Sequence, residues 1–312
     1  YLTSKDALNT IPLLPDIFDE PFADSSQIPT YLVSKIAKSK VKVCLSGDGG
    51  DELFGGYNRY LITSKLWGKI SRIPKPAKSI LANLIKFVKP QVWDIFSNLF
   101  YKNKYENFGF KMHKGADSLY SDNIDELYLN LTSTIKNPSK WMTNSVEQKI
   151  TEYNFDTKIS DIERMMIKDL VGYLPTDILT KVDRATMAAS LEARTPFLDK
   201  KVVQFALSLP LKYKIKEGVG KSILRDVLYK YVPRNIVERP KMGFAIPIDH
   251  WLRGELKDWA ESLLNEKNLE QQGYFNSKLI RKKWTEHLSG KKNWQSDLWD
   301  ILMFQSWLNV ND

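Results

Sequence analysis

The residues best suited to chemistry form one acidic, glycine-rich segment, Ser46-Gly47-Asp48-Gly49-Gly50-Asp51-Glu52-Leu53-Phe54-Gly55-Gly56-Tyr57. Asp48, Asp51 and Glu52 place three carboxylates close together, and the glycines let the backbone approach a ligand. Mg²⁺ takes carboxylate oxygens and usually bridges to substrate phosphates. The segment therefore predicts a magnesium site. The alternative is that Asp51 only caps a helix and the glycines only turn the chain.

The elements around this segment follow from the hydrophobic pattern. Residues 41–45 are apolar and rich in β-branched side chains, which predicts a buried strand containing Cys44 as an inert core thiol. A helix is expected at 28–39, another from 51 to about 65, and positive φ at the five glycines. The segment has neither the Gly-Lys-Ser/Thr ending of a Walker A loop nor the calcium ladder of an EF-hand.

Two downstream stretches contain lysines at distinctive positions. Lys221 and Arg225 are spaced i, i+4 on a helix predicted to begin after Gly220, and they either reach a phosphate or are ordinary surface cations. Lys241 lies between a proline and a glycine in a predicted loop at 238–247.

A third stretch places charges on one face of a helix predicted at 176–190. Asp177, Lys181 and Arg184 recur at i, i+4 and i+7, and the sequence alone favours a surface ion-pair ladder. Glu192 and Arg194 follow beside a break at Pro196, and we expect them to form a buried ion pair that fixes a loop. Residues 15–26 are rich in prolines and acids and are expected to be an ordered loop, of the kind that often carries function.

Composition limits the classes of protein. Of 312 residues, 43% are hydrophobic and 12% aromatic, which is ample for a core. The net charge of +9 suits anionic substrates or nucleic acid. Much of the excess lies between 65 and 114 without an aromatic-basic pattern, which favours a basic face over a nucleic-acid module. There is no apolar run of membrane length, no signal peptide and a single cysteine, so we expect a cytoplasmic protein without membrane contact.

The chain divides into three expected parts. Residues 1–65 form a partial α/β segment that contains the acidic, glycine-rich segment 46–57, called the acidic turn below. Residues 66–150 form a helical insertion, and 151–312 a helical part whose tryptophans are core anchors. A single strand cannot stabilise itself, so the partner strands are expected to precede Tyr1. The predicted fold class is mostly α with the remnant of a parallel α/β sheet.

With these motifs in order, the chain resembles the synthetase domain of glutamine-dependent asparagine synthetases, a family that also includes the β-lactam synthetases. The resemblance covers nearly the whole chain except about 66–150. It is carried by residues 19–26 (DEPFADSS), 45–57 (LSGDGGDELFGGY), 174–177 (LPTD), 181–184 (KVDR), 191–199 (LEARTPFLD), 221–225 (KSILR) and 239–244 (RPKMGF).

The resemblance implies a fold and a reaction. The fold is the C-terminal part of an ATP pyrophosphatase domain, related to the adenine-nucleotide α-hydrolases. With ATP and Mg²⁺, such a domain adenylates the side-chain carboxylate of aspartate and releases pyrophosphate. Ammonia from an N-terminal glutaminase domain then attacks the adenylate to give asparagine and AMP. The expected partners are aspartate and ammonia, without nucleic acid, and a homodimer is compatible with the family.

The resemblance also suggests site residues. Asp51 matches the magnesium-binding aspartate, and Asp48 matches a position, often glutamate, that handles protons when ammonia attacks. Lys241 matches a lysine that stabilises charge on the phosphate and on the tetrahedral intermediate. The nucleotide side is assigned to Ser46, Gly47, Gly49, Lys221 and Arg184.

Two departures and two alternatives accompany the resemblance. The pyrophosphate-binding Ser-Gly-Gly-x-Asp-Ser loop and the amidotransferase domain do not occur in these residues. We therefore expect the C-terminal portion of a longer protein, which makes no asparagine by itself. One alternative is a ligase of the same chemistry that amidates another carboxylate, for example on a sugar precursor. The other is a non-catalytic basic helical module that binds nucleic acid or a protein.

Overall fold

Helices dominate the computed structural model, which describes residues 3–101, 108–135, 137–144, 159–238 and 246–311. The helices in chain order are α1 Ser4–Thr10, α2 Leu14–Phe18, α3 Gln27–Lys38, α4 Gly50–Phe54, α5 Asn58–Ile70, α6 Lys75–Phe87, α7 Pro90–Tyr101, α8 Phe108–Ser118, α9 Ile124–Thr132, α10 Asp161–Val171, α11 Thr180–Ala188, α12 Lys200–Ser208, α13 Leu211–Lys214, α14 Ser222–Leu228, α15 Arg234–Val237, α16 Ile248–Arg253, α17 Lys257–Leu263, α18 Glu266–Gln272, α19 Ser277–Leu288 and α20 Gln295–Asn311. Short 3₁₀ turns occupy Ile11–Leu13, Pro138–Lys140 and Pro196–Leu198, and a π-helix occupies Leu174–Leu179.

A small parallel sheet joins two distant parts of the chain. Strand β1, Val43–Leu45, pairs with β2, Glu192–Arg194, and Val43 lies opposite Glu192. The fold class predicted from sequence, mostly helical with a small parallel sheet, is confirmed. The prediction of a buried strand is wrong, because Leu45 is 74% exposed and Cys44 is only half-buried. The expectation that the partner strands of β1 precede Tyr1 is wrong for one of them, because in the described residues β1 pairs with β2.

The principal core lies between the two ends of the chain. Helices α1–α3 pack with α16–α20 around Trp251, Trp284 and Trp299, each at most 3% exposed. The prediction that tryptophans anchor this core is confirmed for these three. A second cluster joins α5, α9 and α10 through Tyr60, Tyr128 and their apolar neighbours. Among the described helices, none combines the length and the apolar character needed to cross a membrane.

Local backbone conformation explains where the helix predictions succeeded. The helix predicted at 28–39 is confirmed as α3. The single helix predicted from 51 to about 65 is wrong: α4 ends at Phe54 and α5 begins at Asn58. Gly55 takes φ 65° and Tyr57 is extended, which interrupts the helical hydrogen bonds. The predicted loop at 15–26 is partly wrong, because α2 continues to Phe18 and the loop 19–26 begins only at Asp19, with φ 58°.

Candidate active site

Residues 46–49 of the acidic turn connect β1 to α4. Gly49 has φ 83°, and a Cβ there would lie under 3.0 Å from Leu198. Gly49 precedes α4 as its N-cap, so Asp51 is not the helix cap that the structural alternative required. The expectation of positive φ is confirmed for Gly49 and Gly55 and wrong for the other three glycines, at 47, 50 and 56.

Asp51 of this turn pairs with a lysine from the other half of the chain. The Lys221 Nζ lies 2.9 Å from Asp51 Oδ2, and the two side chains are 27% and 28% exposed. The Lys221 N–H also donates to the Phe54 carbonyl at 2.9 Å, which fixes the lysine backbone against α4. A Cβ on Gly56 would lie under 3.0 Å from both Asp51 Oδ1 and Lys221 Cε. Gly56 therefore keeps open the space in which this ion pair forms.

The glycine before this lysine is required for a similar reason. A Cβ on Gly220 would fall under 3.0 Å from the carbonyl oxygen of Gly55. Arg225 Nε donates to the Gly220 carbonyl at 3.1 Å, so this arginine supports the backbone that carries Lys221. Lys221 itself takes φ 58° and precedes α14 as its N-cap, whereas the sequence suggested that it lies on the helix.

Asp48 and Ser46 form a second pair in the same turn. The Ser46 hydroxyl donates to the Asp48 carboxylate, and the Asp48 N–H donates back to Ser46 Oγ at 3.4 Å. The Ser46 N–H donates to the Arg194 carbonyl at 2.8 Å, which extends the parallel ladder into the turn. Asp48 is half-buried. The sheet thus fixes the direction in which this carboxylate leaves the chain.

A cavity of about 850 Å³ lies beside the loop 19–26 and the π-helix. Its charged lining residues include Asp24, Arg59, Asp169, Asp177 and Asp300. π-Helical turns are rare and frequently occur at functional sites. The size of the cavity and its polar walls suit a small polar ligand.

The Asp24 carboxylate is paired in this wall. Lys181, 8% exposed, brings its Nζ to 2.6 Å from Asp24 Oδ2. Burial opposes ionisation of Asp24, but the Lys181 ammonium and the bonds from Ser26 outweigh it and lower the pKa of Asp24. Asp177 behaves in the opposite way, because burial and then the nearby Asp24 charge raise its pKa to about 6. The two carboxylates therefore differ in their tendency to carry a proton.

The predicted surface ion-pair ladder on α11 is wrong. Lys181 pairs with Asp24, and Arg184 Nη1 lies 3.4 Å from Asp19 Oδ2, so both partners belong to the loop 19–26. Arg184 is predicted from the resemblance to bind the nucleotide, and in this structure its observed partner is Asp19. The spacing of the charges was read correctly, but their partners lie far away in the sequence.

Two predicted features remain, the Glu192–Arg194 pair and Lys241. Glu192 and Arg194 form an ion pair at 2.8 Å, but the side chains are 53% and 65% exposed, so the prediction of a buried pair is wrong. They alternate along β2 and therefore share its solvent-facing side. Lys241 and most of its loop, residues 239–245, lie outside the described residues.

Sequence reasoning missed one cluster near the cavity. Arg59 Nη2 lies 2.6 Å from Asp169 Oδ2, and tyrosines from three elements surround the pair. The run Tyr57-Asn58-Arg59-Tyr60 after the acidic turn was the available signal. It was difficult to interpret, because aromatic residues beside a cation are common on ordinary helices.

Comparison with known proteins supplies the family. The asparagine synthase family matches residues 1–309. The glutamine-hydrolysing asparagine synthetase 1 of Bacillus subtilis strain 168 is 32% identical over 313 residues, which cover 99% of this chain and 47% of that protein. A putative glutamine-hydrolysing asparagine synthetase of Mycobacterium tuberculosis H37Rv is 33% identical over 299 residues, 94% of this chain and 44% of that protein.

The glutamine-hydrolysing asparagine synthetase of Homo sapiens is 30% identical over 152 residues, 44% of this chain and 26% of that protein. The chain spans about half the length of the bacterial relatives it matches. The matched residues include the acidic turn, Lys221 and the cavity wall described above. On this match, the chain belongs to the asparagine synthase family.

Proposed function

We propose that this chain is the synthetase portion of a glutamine-hydrolysing asparagine synthetase. The reaction is ATP-dependent adenylation of the aspartate side-chain carboxylate, followed by amidation with ammonia derived from glutamine. The products are asparagine, AMP and pyrophosphate. The observation that carries this proposal is the contact between Asp51 and Lys221, in a chain that belongs to the family. The two residues are far apart in the sequence. Together they offer a carboxylate for a metal ion and a cation for the phosphates that the ion binds.

The proposed fold is the C-terminal part of an ATP pyrophosphatase domain. The parallel pair β1–β2 and the turn that follows β1 support it, because ligands of open parallel sheets bind beyond the carboxyl ends of the strands. Ser46, Gly47 and Gly49 occupy that position. They would bring their backbone close to the nucleotide, and at Gly47 no side-chain or backbone neighbour occupies the position that a Cβ would take.

The residues fit Mg²⁺ as a shared ligand. Mg²⁺ commonly takes one or two carboxylates from the protein and completes its shell with phosphate and water oxygens. Asp51 is partly exposed and would hold the ion, with Asp48 in the same turn. Within the described residues there is no set of three or more side chains able to hold a metal without a substrate. When bound, Mg²⁺ would stabilise negative charge on the phosphates.

The other residues would act through charge and proton transfer. Lys221 would place its ammonium beside the phosphates, where it stabilises the charge that develops on the leaving group. Arg184 is proposed on the nucleotide side by family resemblance, and Lys241 for charge on the phosphate and the tetrahedral intermediate. Asp48 would accept a proton from the attacking amine, and the Ser46 hydroxyl bound to it would keep the carboxylate oriented. The shorter reach of aspartate, relative to glutamate, makes this orientation important.

The decisive experiment is an aspartate-dependent exchange of labelled pyrophosphate into ATP, carried out in the longer protein that the proposal implies. Aspartate should support exchange, and either ammonia or glutamine should then yield asparagine. Asp51→Ala and Lys241→Ala should abolish exchange. Lys75→Met is the matched control, because Lys75 pairs with Asp122 on the surface, where the side chains are 77% and 61% exposed. Unchanged exchange in both site variants would contradict the assigned roles.

The same assay separates the alternatives. Exchange that depends on a different carboxylic acid would identify a ligase of the same chemistry with another substrate. A salt-sensitive affinity for nucleic acid, without binding of ATP, would favour a binding module. We also expect the isolated chain to make no asparagine, because the phosphate-binding loop is not among its residues.

A further inference from the structure

Arg59 is anchored by a buried carboxylate. Its Nη2 and Nε lie 2.6 and 3.2 Å from Asp169 Oδ2, and Nε also donates to the Tyr128 hydroxyl at 2.8 Å. Asp169 is 5% exposed, and its Oδ2 accepts further bonds from Tyr60 at 2.7 Å and Tyr128 at 2.6 Å. This arrangement uses α5, α9 and α10 to fix one guanidinium group.

The flat face of the same guanidinium contacts two more aromatic rings. Arg59 Cζ lies 3.9 Å from the centroid of the Tyr57 ring and 4.7 Å from that of Tyr173. The Tyr57 hydroxyl donates to Glu52 Oε1 at 2.8 Å, and Glu52 is 2% exposed. Glu52 directly follows Asp51 in α4. An unbroken series of contacts therefore leads from Asp169 in the cavity wall to the acidic turn.

The chemistry of these contacts indicates that the Arg59–Asp169 pair serves to position neighbouring groups more than to stabilise the fold. Burying an ion pair requires removal of water from both charges, and apolar side chains of similar volume often stabilise a fold as well or better. Burial disfavours the charged form of Arg59, but Asp169 outweighs it and raises the arginine's pKa. A guanidinium can donate in its plane and stack on its faces at the same time, which an ammonium cannot do.

We propose that Arg59 is a positioning residue, which Asp169 holds in the cavity wall and which fixes Tyr57 and, through the hydroxyl of Tyr57, the Glu52 segment of the acidic turn. Arg59 would not contact the reacting atoms. Its role rests on the proposed function only in that the turn is the site of nucleotide chemistry. The mechanical link itself belongs to this chain and can be tested without activity.

The first test is site-resolved hydrogen–deuterium exchange in Arg59→Lys. The reporters are the Leu53 N–H, bonded to the Gly49 carbonyl at 3.0 Å, and the Gly56 N–H, bonded to the Asp51 carbonyl at 2.8 Å. We expect both to exchange about tenfold faster than in the wild type, while the amides of α20 in the principal core change by less than about twofold. Reporter amides that stay within about twofold would overturn the proposal, and so would equal acceleration in α20.

Arg164→Lys is the matched control. Arg164 also lies on the α9–α10 side, pairs with Asp125 and Asp161, and is 29% exposed against 27% for Arg59. It has no contact in the series described above. We expect Arg164→Lys to leave the Leu53 and Gly56 amides within about twofold of wild type. Equal acceleration by the two lysine variants would overturn the proposal.

A second comparison tests the route through the hydroxyl. Tyr57→Phe keeps the ring against Arg59 but removes the bond to Glu52. If the two act in series, the double variant with Arg59→Lys should exchange no faster than the more affected single variant. If the acceleration in the double variant equals the product of the two single accelerations, the two residues do not act in series and the proposed route is wrong. The two proposals can fail separately. If the hydrogen–deuterium exchange results are as expected but aspartate does not support exchange of pyrophosphate into ATP, the positioning role of Arg59 is retained and the proposed function is wrong.

Discussion

The Lys221 Nζ lies 2.9 Å from Asp51 Oδ2, in space that Gly56 keeps open, and Gly220 lets the backbone before Lys221 approach the Gly55 carbonyl. Neither charge is fully buried, and each side chain is held by a backbone that cannot shift easily. The Asp51–Lys221 pair is therefore as well suited to binding a ligand as to stabilising the fold. A ligand carrying negative phosphates and a divalent cation would satisfy both members at once.

The first prediction separates activity from stability at this pair. Asp51→Asn or Lys221→Met should lower the free energy of unfolding by about 1 kcal/mol or less, because partly exposed ion pairs contribute little. The rate of aspartate-dependent pyrophosphate exchange should fall about 100-fold or more, since a group that stabilises developing charge is lost. Urea unfolding of the chain and the exchange assay in the longer protein measure the two effects. A large loss of stability with normal exchange would reverse this assignment.

A second prediction concerns the buried pair in the cavity wall. Lys181→Met should lower the free energy of unfolding by about 3 kcal/mol, because it leaves the Asp24 carboxylate without its cation. Arg184→Met, on the same helix, should lower it by about 0.5 kcal/mol or less, since Arg184 and Asp19 are 45% and 74% exposed. Similar values for the two variants in urea unfolding would show that the Asp24 pair is not effectively buried.

The third prediction tests the space that the glycines keep open. Gly220→Ala should cost about 2 kcal/mol, because its Cβ would meet the Gly55 carbonyl oxygen, which is backbone and cannot rotate away. Gly56→Ala should cost less, because it meets the ends of flexible side chains, but it should separate Asp51 from Lys221 and abolish adenylation.

Gly68→Ala is the matched control for these glycine variants. Gly68 lies within α5, and apart from its chain neighbours and the nearby backbone of α5 no described atom lies within 4 Å of the position its Cβ would take. The substitution should stabilise the chain by about 0.5–1 kcal/mol through helix propensity. Thermal or urea unfolding measures all three variants. A Gly220→Ala variant as stable as wild type would mean that the approach to Gly55 is not obligatory.

A fourth prediction concerns pH. Burial, and then the nearby Asp297, raise the pKa of Asp300 in the cavity wall from 3.8 to about 7. Between these values the folded chain binds more protons at this site than the unfolded chain, so the contribution of Asp300 to stability falls as pH rises from about 4 to 7. Asp300→Asn should therefore gain stability relative to wild type over that range. Urea unfolding at pH 4, 5.5 and 7.5 measures it.

Another buried group titrates in this range with the opposite sign. Burial, and then Arg253, lower the pKa of His287 from 6.5 to about 4, so its contribution to stability is lost as pH falls through that interval. The prediction for Asp300 therefore concerns the difference in the free energy of unfolding between Asp300→Asn and wild type, because the contribution of His287 is the same in both and cancels. A difference that stays constant from pH 4 to 7.5 would contradict it.

The sequence was most informative where local chemistry decides the structure. The helix α3, the buried tryptophans and the presence of an acidic turn after a strand could be predicted because periodicity and glycine content are local signals. The fold class followed in outline. The division into parts at 65 and 150, like the roles assigned to individual site residues, stays a prediction.

The misses share a physical origin in contacts between distant residues. Lys181 and Arg184 have the spacing of a surface ladder, but the loop 19–26 supplies their partners. The strand at 43–45 has an apolar composition, yet its exposure depends on what covers the sheet. The role of Asp169 depends on three residues, Arg59, Tyr60 and Tyr128, that all donate to its Oδ2. A single sequence contains no signal for such convergence.

The pairing of β1 with β2 has a consequence for biosynthesis. Ser46 donates to the Arg194 carbonyl, so β1 and the start of the acidic turn lack this parallel partner until residue 194 has left the ribosome. Ladders between such distant segments form slowly, because a long stretch of chain must first be brought to closure. Asp51 meets Lys221 later still. A nascent chain that stops short of these residues would contain the acidic motif in full and would still lack both the β1–β2 ladder and the Asp51–Lys221 pair.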